Sequence, residues 1–138
     1  MKISKKVIVT GGLGFIGSHI VRLLLKKNYK VLNLDKISYS SQRNFNPVKN
    51  YRFKRQNIAS KIVKDTIIDY KPDFIINCAA ETHVDSSITN SEEFVKSNIL
   101  GTHNILESCL KLNKCKLLHI STDEVFGSLR YKDKRFSL

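Results

Sequence analysis

Residues 6–27 read KVIVTGGLGFIGSHIVRLLLKK. Lys6 to Thr10 is apolar and β-branched and stops at glycine, which predicts a short buried strand. From Phe15 to Lys27 the apolar residues fall at Ile16, Ile20, Leu23 and Leu24 and the segment ends in lysines, the pattern of an amphipathic helix. Between the two lie glycines at 11, 14 and 17. Gly11 permits a tight turn, Gly14 lets backbone come close to a pyrophosphate, and Gly17 lets helix and strand pack closely. The amides of Phe15 and Ile16, with the helix dipole behind them, would then face the phosphates. A glycine pattern alone is weak, because a purely structural turn would read the same way.

The next strand strengthens it. Val31 to Leu34 is a second apolar run, and it ends in Asp35 at about the spacing, roughly 20 residues, expected of an acid that binds a ribose. Asp35 would accept from both ribose hydroxyls and repel a 2′-phosphate, which favours NAD over NADP. Beyond it Lys36 to Asn50 is a polar loop, and Tyr51 to Lys54 reads as a third strand. Ile58 to Tyr70 has helical spacing and is stopped by Pro72. Phe74 to Cys78 is a fourth strand. A long helix runs from Ser91 to about Leu112, with Phe94, Val95, Asn98, Ile99, Thr102, Leu106, Cys109 and Leu110 on one stripe. Lys116 to Ser121 is the fifth strand. Short apolar runs alternating with helices predict an α/β fold, a doubly wound parallel sheet of Rossmann type. There is no internal repeat and no linker.

Composition narrows the partners. The 138 residues carry a net charge of +12, with 41% hydrophobic content. The charge is mostly lysine scattered over helices and loops, and no nucleic-acid-binding motif accompanies it. It reads as a solvated surface, and nucleic acid is not expected as a partner. No apolar run is long enough to span a membrane and none reads as a targeting segment, so a cytoplasmic protein is expected. The three cysteines lack metal-ligand spacing and read as ordinary reduced thiols, with no metal site.

In an open α/β sheet, ligands bind outside the carboxyl ends of the strands. Strand four ends in CAAETHVDSS, residues 78–87. Ala79 and Ala80 are small enough for a flat cofactor to come close. Glu81, Thr82, His83, Asp85 and Ser86 crowd one loop, where His83 reads as a hydrogen-bonded histidine and not a metal ligand. Ser97 and Asn98 interrupt the apolar stripe of the long helix; the Asn98 amide either reaches the cofactor or satisfies backbone nearby. Strand five ends in Thr122, Asp123 and Glu124, a hydroxyl and two adjacent carboxylates.

Together these pieces resemble the extended short-chain dehydrogenase/reductase family, from Lys6 to about Leu129. TGGLGFIGSHIV matches its glycine signature, NLD its ribose acid, CAAETHVD its strand-four loop and SNILGTHNILE its long helix. Within the family, AAETHVDSSI with STDEVFGSL looks like the nucleotide-sugar 4,6-dehydratases. The resemblance implies NAD held at the phosphates by Gly11, Gly14, Phe15, Ile16 and Gly17, with Asp35, Lys36 and Ser38 around the adenosine ribose. Asn57 and Ile58 would lie at the adenine, where the family usually has Asp-Ile, so one hydrogen bond there is altered. Ala79, Ala80 and Glu81 would flank the nicotinamide side, Ser97 stands where a threonine is usual, and Thr82 and Thr122 would touch the sugar.

The same resemblance implies a chemistry: oxidation of the sugar at C4, loss of water across C5 and C6, and return of hydride to C6. Glu124 would be the general base at C5 and Asp123 the general acid for the departing hydroxyl, with Thr122 on the C4 oxygen. Adjacent carboxylates suit this, since their mutual repulsion keeps one protonated while the other is ionised. The family also needs a Tyr-x-x-x-Lys pair well past this triplet. Fourteen residues follow Glu124, and Tyr131 comes too early to serve, with Lys134 one position short of the spacing and an arginine, Arg135, in the lysine's place. The expectation is an incomplete NAD-binding domain over residues 1–138 without its sugar-nucleotide domain, inactive alone and homodimeric in the full-length protein. A sugar-nucleotide epimerase or decarboxylase of the same family, or a non-catalytic NAD-binding module, is the alternative.

Overall fold

The computed structural model describes residues 4–38, 41–42, 48–83, 87–88 and 90–135, with backbone alone at 123 and 124. Five parallel strands lie in the order β3-β2-β1-β4-β5. They are β1 (Lys6–Thr10), β2 (Lys30–Asp35), β3 (Tyr51–Arg55), β4 (Phe74–Asn77) and β5 (Lys116–His119). Alternate strand residues feed two separate cores, as the two-residue period of a pleated strand requires. Val7, Val9 and Val31 pack with Val21 of helix α1 (Phe15–Lys26) on one face. Ile8, Leu32, Leu34 and Ile75 pack on the other with Val63 and Ile67 of α2 (Ile62–Tyr70) and Ile105 of α4 (Thr102–Lys111). This is the doubly wound sheet that the alternation predicts, and the strand order runs outward in both directions from β1, so the crevice opens beside its carboxyl end.

Three elements differ from the sequence reading. Helix α2 begins at Ile62 instead of Ile58, because residues 57–60 form a turn in which Asn57 Oδ1 accepts from the Ala59 amide at 2.9 Å and the Ser60 amide donates to the Asn57 carbonyl at 3.1 Å. It ends at Tyr70 and is capped by Lys71, whose left-handed φ of 51° turns the chain just before Pro72.

The long helix is three segments: α3 (Ser91–Phe94), a π-helical stretch (Val95–Gly101) and α4. Its core-facing side is also not the apolar stripe. Ser97, Gly101, Asn104, Ile105 and Ser108 are buried, while Val95, Ile99, Leu106 and Leu110 are exposed. Close approach is the reason. A Cβ on Gly101 would lie 2.5 Å from the Ile58 side chain, and Asn104 Nδ2 donates to the Ile58 carbonyl at 3.0 Å.

Finally, β5 stops at His119 and is an edge strand, with Leu118 55% exposed. It is shorter than the Lys116 to Ser121 run of the sequence reading, and only partly buried. Among the described residues no helix is long and apolar enough to cross a membrane.

Candidate functional site

The turn after β1 is built by steric necessity. Gly11 has φ of +66°, and a Cβ there would meet the Ala79 backbone of the neighbouring strand end at 2.8 Å. Gly17 packs against the loop itself, not against a strand, since its Cβ would fall 2.2 Å from the Gly11 carbonyl oxygen. Gly14 is the N-cap of α1 in extended conformation and provides no side-chain cap. The first bond back into the helix is from Ser18 to the Gly14 carbonyl, at 2.9 Å. The amides of Phe15, Ile16 and Gly17 therefore point out of the helix N-terminus without intrahelical acceptors, where the dipole favours an anion. The side chains of Phe15 and Ile16 are exposed, and neither residue lines the cleft.

The cleft in front of this turn encloses about 680 Å³, its open mouth included. Gly11 and Gly14 form its middle. On the β2 side it is lined by Asp35, Lys36 and Ser38, and on the β3 side by Asn57 and Ile58. On the β4 side lie Ala79, Ala80, Glu81 and Thr82, with Ser97 reaching in from the π-helical stretch. Twelve residues singled out from separate stretches of sequence thus converge on one surface. The sequence reading missed four more, Leu34, Ser41, Gln56 and Cys78, which also line it. Burial pushes the Cys78 thiol up to about 11, so it stays protonated near neutrality and is no nucleophile.

Asp35 is buried and organises this surface. Its Oδ2 accepts from the Leu13 amide at 3.0 Å, and its Oδ1 from the Ile37 amide at 2.8 Å and the Ser41 hydroxyl at 3.4 Å. A carboxylate has about four acceptor sites, so one remains for a ligand hydroxyl. The Leu13 bond ties Asp35 directly to the glycine turn.

Lys36, the next residue, spans toward β4. Its Nζ lies 2.6 Å from Glu81 Oε1 and 3.2 Å from Glu93 Oε2. Burial alone would lower its pKa, but hydrogen bonds and charge from the two glutamates outweigh that and hold it above the ordinary lysine value. Asn98 resolves to the backbone role: its Oδ1 accepts from the Glu81 amide at 2.8 Å and its Nδ2 donates to the Glu81 carbonyl at 2.9 Å.

A second polar line crosses the strand ends. The Thr10 hydroxyl bonds to Asn77 Oδ1, and Asn77 Nδ2 meets His119 Nδ1 at 2.9 Å. The network ties β1, β4 and β5 at the level where the Thr-Asp-Glu triplet leaves the sheet. Thr122 is exposed and outside the cleft lining; Asp123 begins a short 3-10 turn, Asp123–Phe126. The side chains of Asp123 and Glu124, like all of Asp85 and Ser86, lie outside the described residues. No cluster of metal-ligating side chains occurs among the described residues.

A parallel sheet switching direction at a glycine turn, an uncapped helix facing a cleft and an acid at the end of β2 define a dinucleotide-binding α/β domain. Residues 8–135 match the family model described as GDP-mannose 4,6 dehydratase, and the chain belongs to that family. Among its relatives, a probable dTDP-glucose 4,6-dehydratase of Sinorhizobium fredii is 43% identical, covering 90% of this chain and 39% of its own length. The dTDP-D-glucose 4,6-dehydratase of Dictyostelium discoideum is also 43% identical, covering 90% of this chain and 30% of its own. The crystal structure of dTDP-glucose 4,6-dehydratase from Bacillus anthracis in complex with NAD superposes with a TM-score of 0.82 at 35% identity, over 97% of this chain and 42% of that one. The chain thus spans two fifths or less of the length of the curated relatives it matches.

Proposed function

We propose that this chain is the cofactor-binding part of an NAD-dependent nucleotide-sugar 4,6-dehydratase, a lyase acting on dTDP-glucose in the cytoplasm. The observation that carries the reading is the convergence on one cleft of the glycine turn, Asp35 and the β4 loop. The Phe15, Ile16 and Gly17 amides would hold the pyrophosphate. Asp35, with Ser38 beside it, would hold the adenosine ribose, and Asn57 and Ile58 would meet the adenine. Ala79, Ala80 and Ser97 would leave room for the nicotinamide. Bound there, NAD would supply the oxidant for sugar C4 and the hydride returned at C6.

The chain's own groups would then move protons. Thr122 would hold the C4 oxygen, Glu124 take the C5 proton and Asp123 protonate the leaving hydroxyl at C6. The adjacent acids favour dehydration over the epimerisation named in other similar structures, such as the UDP-Glc/GlcNAc 4-epimerase of Campylobacter jejuni (TM-score 0.80, 29% identity). Abstraction of the C4 hydroxyl proton needs, by the family resemblance, a Tyr-x-x-x-Lys pair that these 138 residues do not contain. The function proposed for the chain itself is therefore NAD binding, and sugar turnover is proposed for the whole enzyme. The exposed stripe of Val95, Ile99, Leu106 and Leu110 supports a homodimer.

Calorimetric titration with NAD tests the first part: saturable binding at one site is expected, and it should be lost in Gly11→Val. Incubating the gene product with dTDP-glucose tests the second. A product lighter by one water supports dehydration; a sugar of unchanged mass but altered configuration would replace it with epimerisation.

A further inference from the structure

We propose that Glu81 and Glu93 make this cleft select NAD against NADP, by tying up Lys36, so that no free cation among the described lining residues faces a 2′-phosphate. The inference rests on the NAD reading above and adds the residues that set the choice. A site that takes the 2′-phosphate needs a cation close to the end of β2. Lys36 stands there, directly after Asp35, and is the only cation among the described residues that line the cleft. An acid and a lysine side by side give no decisive preference, because the ammonium offsets the charge with which Asp35 repels a phosphate.

The geometry removes the ammonium from that contest. Its two carboxylate partners, at 2.6 and 3.2 Å, come from the end of β4 and from α3. Both are braced. Asn98 clamps the Glu81 backbone on both sides, and the other oxygen of Glu93 lies 3.7 Å from Lys96. Lys36 is about one-third exposed and Glu81 less, so solvent only partly screens the bridge. The lining then presents Asp35 and Glu81 against a single, already paired, ammonium. A 2′-phosphate would add close to two negative charges to that rim.

Calorimetric affinities for NAD and NADP test this in the unmodified chain, Asp35→Asn, and Asp35→Asn combined with Glu81→Gln and Glu93→Gln. Asp35→Asn alone removes a repulsion, so it should raise NADP relative to NAD, but it leaves Lys36 tied. Freeing Lys36 in the triple variant should raise NADP relative to NAD on the order of tenfold more, the worth of one charge-assisted hydrogen bond. Adding Lys36→Met should erase that gain. If the triple variant does not fold, Asp35→Asn with Glu93→Gln alone, at the more exposed of the two glutamates, is expected to shift the ratio in the same direction.

A ratio that does not rise, or rises equally with Lys36→Met, overturns the inference while NAD binding stands. Failure of the unmodified chain to bind either dinucleotide overturns the NAD reading and this inference together.

Discussion

Gly12 bears on the glycine turn although the Gly-x-x-Gly-x-x-Gly spacing passes over it. A Cβ there would fall 2.2 Å from Oδ1 of Asn33, a buried β2 side chain whose amide nitrogen donates to the Tyr51 hydroxyl at 3.0 Å. That Oδ1 has no partner among the described residues, so Asn33 is held by packing against the turn as much as by its bond. Gly12→Ala is expected to destabilise the fold by about 1–3 kcal/mol through overpacking. Asn33→Ala in the same chain should recover part of the loss, a non-additivity that denaturant unfolding of the two single variants and the double variant would reveal. Gly11, Gly14 and Gly17 were readable because a local turn dictates them; Gly12 was not, because its constraint arrives from the next strand. Asn57 shows a second limit. The sequence marks it as a departure from the family's Asp, and the structure shows that its Oδ1 already serves the Ala59 amide. Its remaining Nδ2 is a donor, ill matched to an adenine amino group, which is also a donor. Asn57→Asp keeps the turn and adds an acceptor, so NAD should bind up to about tenfold tighter in a titration; unchanged affinity would mean that the adenine amino group lies elsewhere.

At the scale of elements, the segment from Ser91 to Lys111 is the instructive one. Its existence and approximate ends were legible, because the apolar repeat is strong and Glu92 and Glu93 mark its start. Its orientation was not. Counting apolar residues selects Val95, Ile99, Leu106 and Leu110, but the side that meets the sheet is small or hydrogen-bonded: Ser97, Gly101, Asn104 and Ser108 around Ile105. The π-helical stretch, a departure often found at functional sites, puts Ser97 into the cleft and the Asn98 amide against Glu81. Asn98→Ala removes both bonds to Glu81; since the site is exposed, a loss of about 1 kcal/mol is expected in thermal unfolding. Hydrogen exchange at the Glu81 amide should quicken while exchange in β1 stays slow. The bridge between β2, β4 and α3 also predicts a pH dependence. The Lys36 pKa is raised above the ordinary 10.5, so its contribution to stability is complete below that value and lost as pH climbs through the raised one. The difference in melting temperature between the unmodified chain and Lys36→Met should therefore be flat through neutral pH and close only in strongly alkaline buffer. A difference that already closes near neutrality would rule the bridge out.

For the whole molecule, sheet and core were readable from the sequence, but the outer surface was not. The parallel sheet, its two covered faces and the crevice follow from alternation and handedness, which local patterns carry; the order of the strands comes from the structure. Which apolar residues remain outside depends on how helices rotate against the sheet, and among the described residues two exposed apolar surfaces bear on association. One is the edge strand β5 with Leu118 exposed; the other is the Val95–Ile99–Leu106–Leu110 stripe. Unpaired edges invite pairing with another chain, and exposed apolar patches mark contact surfaces. The two can be separated. The helical stripe carries Leu110 at 74% exposure and Ile99 at 65%, with no charged residue among its four members, whereas β5 is only four residues long and flanks its leucines with Lys116 and His119. Charge at an edge discourages pairing, so association should run through the helices. Ile99→Glu with Leu110→Glu is expected to shift sedimentation from a concentration-dependent associated species to a monomer with little change in melting temperature, since neither side chain supports the core. Leu118→Lys should leave association in place. The opposite pattern, monomer from Leu118→Lys alone, would assign association to the sheet edge and remove the helical stripe as support for the proposed homodimer.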